Sequence, residues 1–287
     1  MKILYRSIFL LSISILLWNC SENPEIPMAG ELPAMDLFDQ SYGNETNQLF
    51  DIFLPQGRSR ENTPLIIYIH GGGWIDGSKE EFLQFRQSFQ REFPDYAIAS
   101  INYRLFDFLT GKNKFPTQEN DVIAAVRSIQ LQTVNWNISD QIILAGASAG
   151  GHLALLHSYK HQTIGNIKAV IAFFPPSDLV SLYTFNQITQ LGLNALLGGN
   201  PQEQATAYLE SSPSNFIQEA VVPTIFFHGS SDTVVPVWQS DLFADKLNSV
   251  SARFEYKRIE NQGHGFNDPT YSQAFKDAAS FLERNLE

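Results

Sequence analysis

Short apolar runs alternate along this chain with segments whose apolar residues recur at helical spacing, and this alternation limits the possible folds. The run Leu65–Ile69 is almost wholly apolar and rich in β-branched residues, which predicts a central strand buried on both faces. Leu49–Leu54 predicts an early antiparallel strand at the sheet edge, and the alternating charges of Arg253–Ile259 predict a strand near an edge. The whole pattern is typical of an α/β fold with a mostly parallel central sheet and helices on both faces.

The remaining elements follow the same alternation. Further strands are predicted at Tyr96–Ile101, Gln141–Leu144, Ile167–Phe173 and Pro223–Phe227. Helices are predicted at Lys79–Arg91, Asp121–Gln132, Ala149–Lys160, Val237–Asn248 and Tyr271–Glu283. The interval from Leu179 to Glu219 contains short helix-like stretches broken by Gly192 and Gly198. It leaves the carboxyl end of a strand, where ligands bind in such sheets, so it is either a small lid or pocket wall or an ordinary pair of connecting helices.

Length and charge restrict the class of protein. The chain has 287 residues, and no repeat, charge block or Pro/Ser-rich linker divides it after about residue 45, which predicts one domain. Its formal charge is -11; without residues 1–19, which carry Lys2 and Arg6 and no acid, 17 basic residues face 30 acidic ones and the charge is -13. Such a surface repels phosphate backbones, so we expect no nucleic-acid partner. The sequence does not define an oligomeric state.

The N-terminal residues have the pattern of an export signal. Lys2 and Arg6 precede an apolar stretch, residues 8–18, that is too short to span a bilayer comfortably. The next residues, Leu17-Trp18-Asn19-Cys20, resemble the lipobox of bacterial lipoproteins, in which the cysteine is lipidated and becomes residue one. Leu17 fits that pattern, whereas the two residues before the cysteine are larger than usual.

We therefore predict a signal peptide over residues 1–19, lipidation of Cys20 and a lipid-anchored tether over residues 20–45. The protein is then exported to the bacterial cell envelope, at the periplasmic or outer-membrane face, and contacts the membrane through this anchor. The alternative is a plain secretory signal with an incidental cysteine. Cys20 is the only cysteine, so the exported domain has no internal disulfide.

A serine lies where a predicted strand turns into a predicted helix. The segment Gly146-Ala147-Ser148-Ala149-Gly150 follows the run Ile142–Leu144 and precedes the run Leu153–Leu156. A sharp strand-to-helix turn exposes a serine oxygen to a base, and glycines two positions to either side let the two backbones approach. Ser148 is therefore the candidate nucleophile.

Three consecutive glycines follow the central strand, in His70-Gly71-Gly72-Gly73-Trp74. Such a loop can point backbone N–H groups at a developing oxyanion, because no side chains obstruct them. Gly72 and Gly73 are the preferred donors, Ala149 supplies a third N–H, and Gly71 is a further candidate. His70 is expected to brace the loop.

An acid and a base follow later strands. Asp232 lies in the loop after Pro223–Phe227, and Asp178 is its rival because it also follows a strand. We prefer Asp232, since its strand is nearer in the chain to the segment that carries His264. His264 lies between glycines before the last helix and is the candidate general base, and His228 is expected to brace its own loop.

Three histidines remain, all in or near the predicted helix after Ser148. We expect His152 to be packed and His157 and His161 to be solvated. None has metal-ligand spacing, so no metal site is predicted.

These residues resemble the hormone-sensitive-lipase-like and feruloyl/acetyl-esterase-like branch of the α/β-hydrolases. The similarity covers roughly residues 45–285 and includes the glycine loop, Ile101-Asn102-Tyr103-Arg104-Leu105, Phe115-Pro116, Asp121-Val122, the serine turn, His228–Asp232 and His264-Gly265-Phe266. It implies an α/β-hydrolase catalytic domain over residues 46–287, with a small lid region. It further implies a carboxylesterase that acts through an acyl-serine intermediate without a cofactor. Tyr103 and Arg104 match a motif that is usually structural in this family.

The sequence also departs from its lipase-like relatives, which often carry a helical cap before the first strands. Only the predicted tether precedes Leu49 here, so a more open pocket is expected. Such a pocket suits an ester displayed on a bulky carrier, for example acetyl or feruloyl groups on polysaccharides. The function we expect is a serine carboxylesterase for short-chain or aromatic acyl esters, on small molecules or on polysaccharides.

Three other functions are alternatives for such a domain. A serine peptidase of the prolyl-oligopeptidase type usually has a separate gating domain, for which we expect no room. A non-catalytic binding module on a hydrolase scaffold would have lost members of the triad, and none is missing. A long-chain lipase needs a large apolar lid, which the polar Gln202-Glu203-Gln204 disfavours.

Overall fold

The sheet of the computed structural model has eight strands in the order β1-β2-β4-β3-β5-β6-β7-β8. The structure describes residues 31–286, so the predicted signal peptide, Cys20 and the first part of the tether lie outside the described residues. The chain divides into two units, Met1–Glu31 and Leu32–Glu287, and the second contains the sheet. None of the helices described is long and apolar enough to pass through a bilayer.

The strands are β1 (Met35–Ser41), β2 (Leu49–Leu54), β3 (Leu65–Ile69), β4 (Ala97–Ile101), β5 (Gln141–Ala147), β6 (Asn166–Phe173), β7 (Thr224–Gly229) and β8 (Phe254–Ile259). The pairs β1–β2 and β2–β4 are antiparallel, and every other neighbouring pair is parallel. The predicted mostly parallel sheet is therefore confirmed.

The α-helices are α1 (Arg86–Glu92), α2 (Thr117–Trp136), α3 (Ala149–Lys160), α4 (Leu179–Tyr183), α5 (Gln187–Leu197), α6 (Ala205–Glu210), α7 (Trp238–Ser249) and α8 (Asp268–Asn285). Short 3₁₀ helices cover Lys79–Gln84 and Pro213–Phe216. The single helix predicted at Lys79–Arg91 is thus a 3₁₀ helix followed by α1, with Phe85 between them in a non-helical conformation.

Helices cover both faces of the sheet, as predicted. Ile67 of β3 packs in a cluster with residues of α2, α3 and α7, including Val122 and Phe243. Its neighbour Ile66 points to the opposite face and packs in a second cluster, with residues of α1 and α8. Alternate residues of one buried strand therefore serve two cores, which is why the run is apolar throughout.

One strand was not predicted. Residues 35–41 form the edge strand β1, whereas the sequence pattern placed them in a tether that ends near residue 45. As a result β2 lies one position inside the edge, although it is antiparallel as predicted. Most of β1 is exposed, although Leu37 packs against the core. Pairing with β2 and a bidentate ion pair of Asp36 with Arg86, both bonds 2.8 Å long, stabilise the strand.

The interval between β6 and β7 consists of short helices, and of the two glycines predicted to break them, one has a different role. Gly192 lies inside α5 and does not break it. Gly198 ends α5 in a left-handed conformation with φ 84°, which a residue with a side chain rarely adopts. At its other end α5 begins with a capping box between Asn186 and Thr189.

Candidate active site

Ser148 occupies a strained turn between β5 and α3, with φ 52° and ψ -120°. The turn depends on two glycines that lie against backbone. A Cβ at Gly150 would come within 2.0 Å of the carbonyl oxygen of Ile69, and one at Gly146 within 2.5 Å of the backbone of Gly150. The N–H of Ser148 donates to the carbonyl of Phe173 at 2.8 Å, which fixes the turn to the end of β6.

The structure brings Ser148, His264 and Asp232 together in one hydrogen-bonded line. His264 Nε2 lies 2.9 Å from Ser148 Oγ, and His264 Nδ1 lies 2.7 Å from Asp232 Oδ2. Ser148 follows the carboxyl end of β5, His264 that of β8 and Asp232 that of β7. Because these strands are parallel, their carboxyl ends lie at one edge of the sheet. The serine oxygen is thus within reach of a base that a carboxylate orients.

The Asp232 carboxylate is held by its own loop as well as by His264. Its Oδ1 accepts the backbone N–H groups of Val234 and Val235 at 2.8 and 2.9 Å, and Oδ2 lies 3.2 Å from Nε2 of His228. Burial opposes ionisation, but the hydrogen bonds from His228 and His264 outweigh it and hold the pKa of Asp232 well below its usual range. Asp232 is therefore an anion at neutral pH.

His228 braces this loop, as the sequence predicts. Its Nδ1 lies 2.7 Å from Ser240 Oγ, and its Nε2 lies 2.9 Å from the carbonyl of Val235. Asp178, the rival acid, lies outside this hydrogen-bonded line. Its side chain instead caps α4 by accepting the N–H of Ser181 at 2.8 Å.

The predicted oxyanion donors separate into two groups. Gly72 and Gly73 have φ values of 94° and 59°, and the N–H of Ala149 is at the first position of α3. Within residues 31–286, none of these three N–H groups has a protein hydrogen-bond partner. Gly71 is different, because its N–H points to Glu81, 3.3 Å from Oε2 and 3.5 Å from Oε1. The prediction of Gly71 as a donor is therefore wrong, since a carboxylate already occupies that group.

His70 and Tyr103 hold the glycine loop through its backbone. His70 Nδ1 lies 2.8 Å from the carbonyl oxygen of Gly71, and the Tyr103 hydroxyl donates to the same oxygen at 3.0 Å. Their rings stack with centroids 4.2 Å apart. Burial lowers the pKa of His70 to about 4, so the ring is neutral at neutral pH.

The three histidines in and after α3 are tied to the backbone or to a carboxylate. His152 is buried as predicted, with Nε2 2.7 Å from the carbonyl of Ser211. His157 is also buried, with Nε2 3.1 Å from the carbonyl of Ile164, so its predicted solvation is wrong. His161 pairs with Glu119 at 2.6 Å. Among the described residues, no three His, Cys, Asp or Glu side chains are grouped to hold a metal ion.

Two cavities meet at Ser148. One has a volume of about 180 Å³ and an almost wholly apolar wall, with Gly73 and Ala149 on one side and Ile188 and Leu193 of α5 on another. The other, of about 330 Å³, is lined by Gly72, Glu81, Tyr271 and His264. The interval between β6 and β7 thus supplies a pocket wall.

Glu81 is the residue near the site that sequence reasoning missed. It lies in the 3₁₀ helix after the glycine loop, in a run of charged residues typical of a solvated surface. The signal that was available is Tyr68, the one polar residue of β3, whose hydroxyl donates to Glu81 Oε1 at 2.6 Å.

The geometry can be compared with known proteins. The family model BD-FAE matches residues 50–247. The chain belongs to the BD-FAE family. This BD-FAE protein is 24% identical over 245 residues to Esterase LipC of Mycobacterium tuberculosis, an alignment that covers 78% of the chain and 58% of that protein. It is 26% identical over 241 residues to the isoprenylcysteine alpha-carbonyl methylesterase ICME of Arabidopsis thaliana, covering 78% of the chain and 55% of the relative. The chain thus spans little more than half the length of these curated relatives.

A solved structure shows the same fold. It is described as a truncated form of carbohydrate esterase from gut microbiota, and it superposes on this BD-FAE protein with a TM-score of 0.75 and 22% identity, covering 88% of our chain and 97% of the other. The predicted α/β-hydrolase fold is confirmed, as is the resemblance from which it came.

Proposed function

We propose that the protein is a serine carboxylesterase that hydrolyses short-chain or aromatic acyl esters, including acetyl or feruloyl groups on polysaccharides. One observation carries this proposal: the unbroken line from Ser148 Oγ through His264 to the ionised Asp232, next to N–H groups that have no hydrogen-bond partner in the described part of the chain. Relatives named as esterases and a structural neighbour named as a carbohydrate esterase support it.

The reaction follows from this geometry. His264 Nε2 takes the proton of Ser148 Oγ as the oxygen attacks the ester carbonyl carbon. The N–H groups of Gly72, Gly73 and Ala149 donate to the oxygen that becomes negative, and one such donor lowers the barrier by about 3–4 kcal/mol. His264 then protonates the leaving alkoxide, and the acyl-serine remains. A water molecule, deprotonated by the same nitrogen, releases the acid and restores Ser148.

The apolar cavity limits the acyl chain. Its volume of about 180 Å³ suits a short aliphatic chain or one aromatic ring, so we expect activity to fall beyond medium chain lengths.

The test is a rate profile of the purified full-length protein on acetyl, butyryl, octanoyl and feruloyl esters. The matched control is Ser148→Ala, which removes only the hydroxyl; we expect it to lower kcat by about 10⁴-fold or more. Labelling of Ser148 by an organophosphate probe gives a second readout. If the wild type hydrolysed none of these esters faster than the Ser148→Ala variant, the proposal would be wrong, and release of dipeptides from peptide substrates would favour the peptidase instead.

The location of the enzyme is also a proposal, and the sequence supports it. The apolar stretch of residues 8–18 followed by Cys20 favours export and lipidation. Metabolic labelling with an alkyne fatty acid tests this: the wild type should take up the label and Cys20→Ser should not. A labelled Cys20→Ser variant, or an unlabelled wild type, would exclude Cys20 as the anchor.

A further inference from the structure

The two cavities at Ser148 differ in their access to the base. His264 lines the cavity of about 330 Å³ and is not among the residues that line the apolar one. Gly73 and Ala149, two of the expected oxyanion donors, line the apolar cavity. We call the larger of the two, which His264 lines, the His264 cavity.

This difference indicates which cavity takes the alcohol of an ester and which takes the acyl group. The assignment rests on the proposed esterase function. The leaving oxygen receives its proton from His264, so the alcohol must lie on the side where His264 is exposed. The acyl group then extends into the apolar cavity, beside α5. The alcohol accordingly meets the more polar of the two walls.

Glu81 is the charged group of that wall. Its Oε1 accepts the Tyr68 hydroxyl at 2.6 Å, and the N–H of Gly71 is shared weakly between both carboxylate oxygens. Burial raises the pKa of Tyr68 well above its ordinary value, so Tyr68 stays a donor and Glu81 the acceptor. No Lys, Arg or His within residues 31–286 forms an ion pair with Glu81.

A carboxylate has about four acceptor sites on its two oxygens, so these contacts leave Glu81 able to accept a hydrogen bond from a donor in the cavity. Aromatic rings line the same cavity as Glu81. Two of them, those of Phe85 and Tyr271, lie nearly parallel, with centroids 6.1 Å apart. A flat, hydroxyl-bearing alcohol can contact these rings while a hydroxyl donates to Glu81.

We infer that Glu81 determines the alcohol specificity of the enzyme, by accepting a hydrogen bond from a free hydroxyl of the leaving alcohol in the His264 cavity. The alcohol is then a polyol such as a sugar unit, and an ester of an alcohol without a second hydroxyl is a poorer substrate.

The experiment compares two acetyl esters of one sugar, one with free hydroxyl donors and one in which each donor is replaced by a methyl ether. One is a monoacetylated methyl xyloside with free hydroxyls, and the other is the same compound with those hydroxyls O-methylated. We expect the full-length wild type to favour the free sugar in kcat/KM by about tenfold or more, as for one hydrogen bond to a charged group. In Glu81→Gln this ratio should fall toward one, because the charge is gone.

Glu81 also holds Gly71, and the ratio separates the two roles. Damage to the glycine loop would lower both rates by the same factor and leave the ratio unchanged; that result would overturn the inference. Ile188→Ala is the matched control in the apolar cavity, where Ile188 is 82% exposed and little folding risk arises. It should change the octanoyl-to-acetyl preference and leave the hydroxyl ratio alone; a shift of that ratio would contradict the assignment of the cavities.

A third ester tests the charge of the alcohol. A wild-type preference for acetylcholine over both xylosides, lost in Glu81→Gln, would show that the carboxylate selects a cation, and the hydroxyl inference would be wrong. Failure of the esterase proposal itself looks different, because the wild type would then hydrolyse none of the three esters.

Discussion

Asp232→Asn changes one atom of the triad and should remove almost all activity. The backbone N–H groups of Val234 and Val235 both donate to Asp232 Oδ1 in the wild type, so in the variant the amide oxygen takes that position. The amide NH₂ then replaces Oδ2, which lies 2.7 Å from His264 Nδ1. A donor in that place requires Nδ1 to be an acceptor and moves the ring proton to Nε2. His264 can then no longer accept the proton of Ser148.

The size of the loss follows from this change of tautomer. Without a base for Ser148 and without a carboxylate for the imidazolium, kcat should fall about 10⁴-fold. That factor corresponds to about 5 kcal/mol in the activation free energy. KM should change much less, because Asp232 lines neither cavity.

The matched control is Asp178→Asn. Asp178 caps α4 through one backbone N–H, and asparagine caps helices about as well, so kcat should stay near the wild-type value. Steady-state kinetics on a short-chain 4-nitrophenyl ester, with unfolding curves for both variants, gives the comparison. A larger loss in Asp178→Asn than in Asp232→Asn would mean that the acid is wrongly assigned.

Two further predictions concern stability. Burial lowers the pKa values of three histidines, His70, His152 and His157, from 6.5 to about 4. Below pH 6.5 the unfolded chain therefore binds more protons than the folded one, and the free energy of unfolding decreases as the pH falls toward 4. At pH 5 each histidine should lower it by about 2 kcal/mol. Urea unfolding at pH 7 and pH 5 measures this, and equal unfolding free energies at the two values would contradict it. Gly150→Ala should lower the unfolding free energy by about 3 kcal/mol or more, because its Cβ would lie 2.0 Å from a carbonyl oxygen of β3. Gly192→Ala, with open space around its Cβ inside α5, should instead be neutral or stabilising, and a similar loss in both variants would refute the packing argument.

Buried elements were the predictable part of this fold. Leu65–Ile69 and Ala149–Lys160 are strongly patterned because the sheet and its flanking helices bury them, and their predicted bounds match β3 and α3. The edge strand β1 was missed because its stability comes from backbone pairing and from the ion pair of Asp36 with Arg86, which no local apolar pattern records.

Some features of the candidate site were likewise easier to predict from the sequence than others. Ser148 and His264 lie in short segments in which glycine and strand endings are explicit in the sequence, and the structure brings them together. The state of the Gly71 N–H depends on Glu81, whose contacts are set by tertiary packing, and the trace of it in the sequence is the polar Tyr68 in the otherwise apolar β3. A contact between side chains that lie far apart in the sequence does not produce a regular spacing of residues in the sequence.

The interval between β6 and β7 has a consequence for how proteins of this fold diversify. β6 and β7 pair directly with each other, so the 3D position of both ends of this interval is fixed independently of what lies between them. Closing a loop of different length between fixed ends changes the free energy only slowly with length. α5 also carries its own stop and start signals, in Gly198 and the Asn186 capping box. If the apolar cavity holds the acyl group as proposed, exchange of α5 for another helix would alter the acyl preference without changing the positions of Ser148, His264 and Asp232.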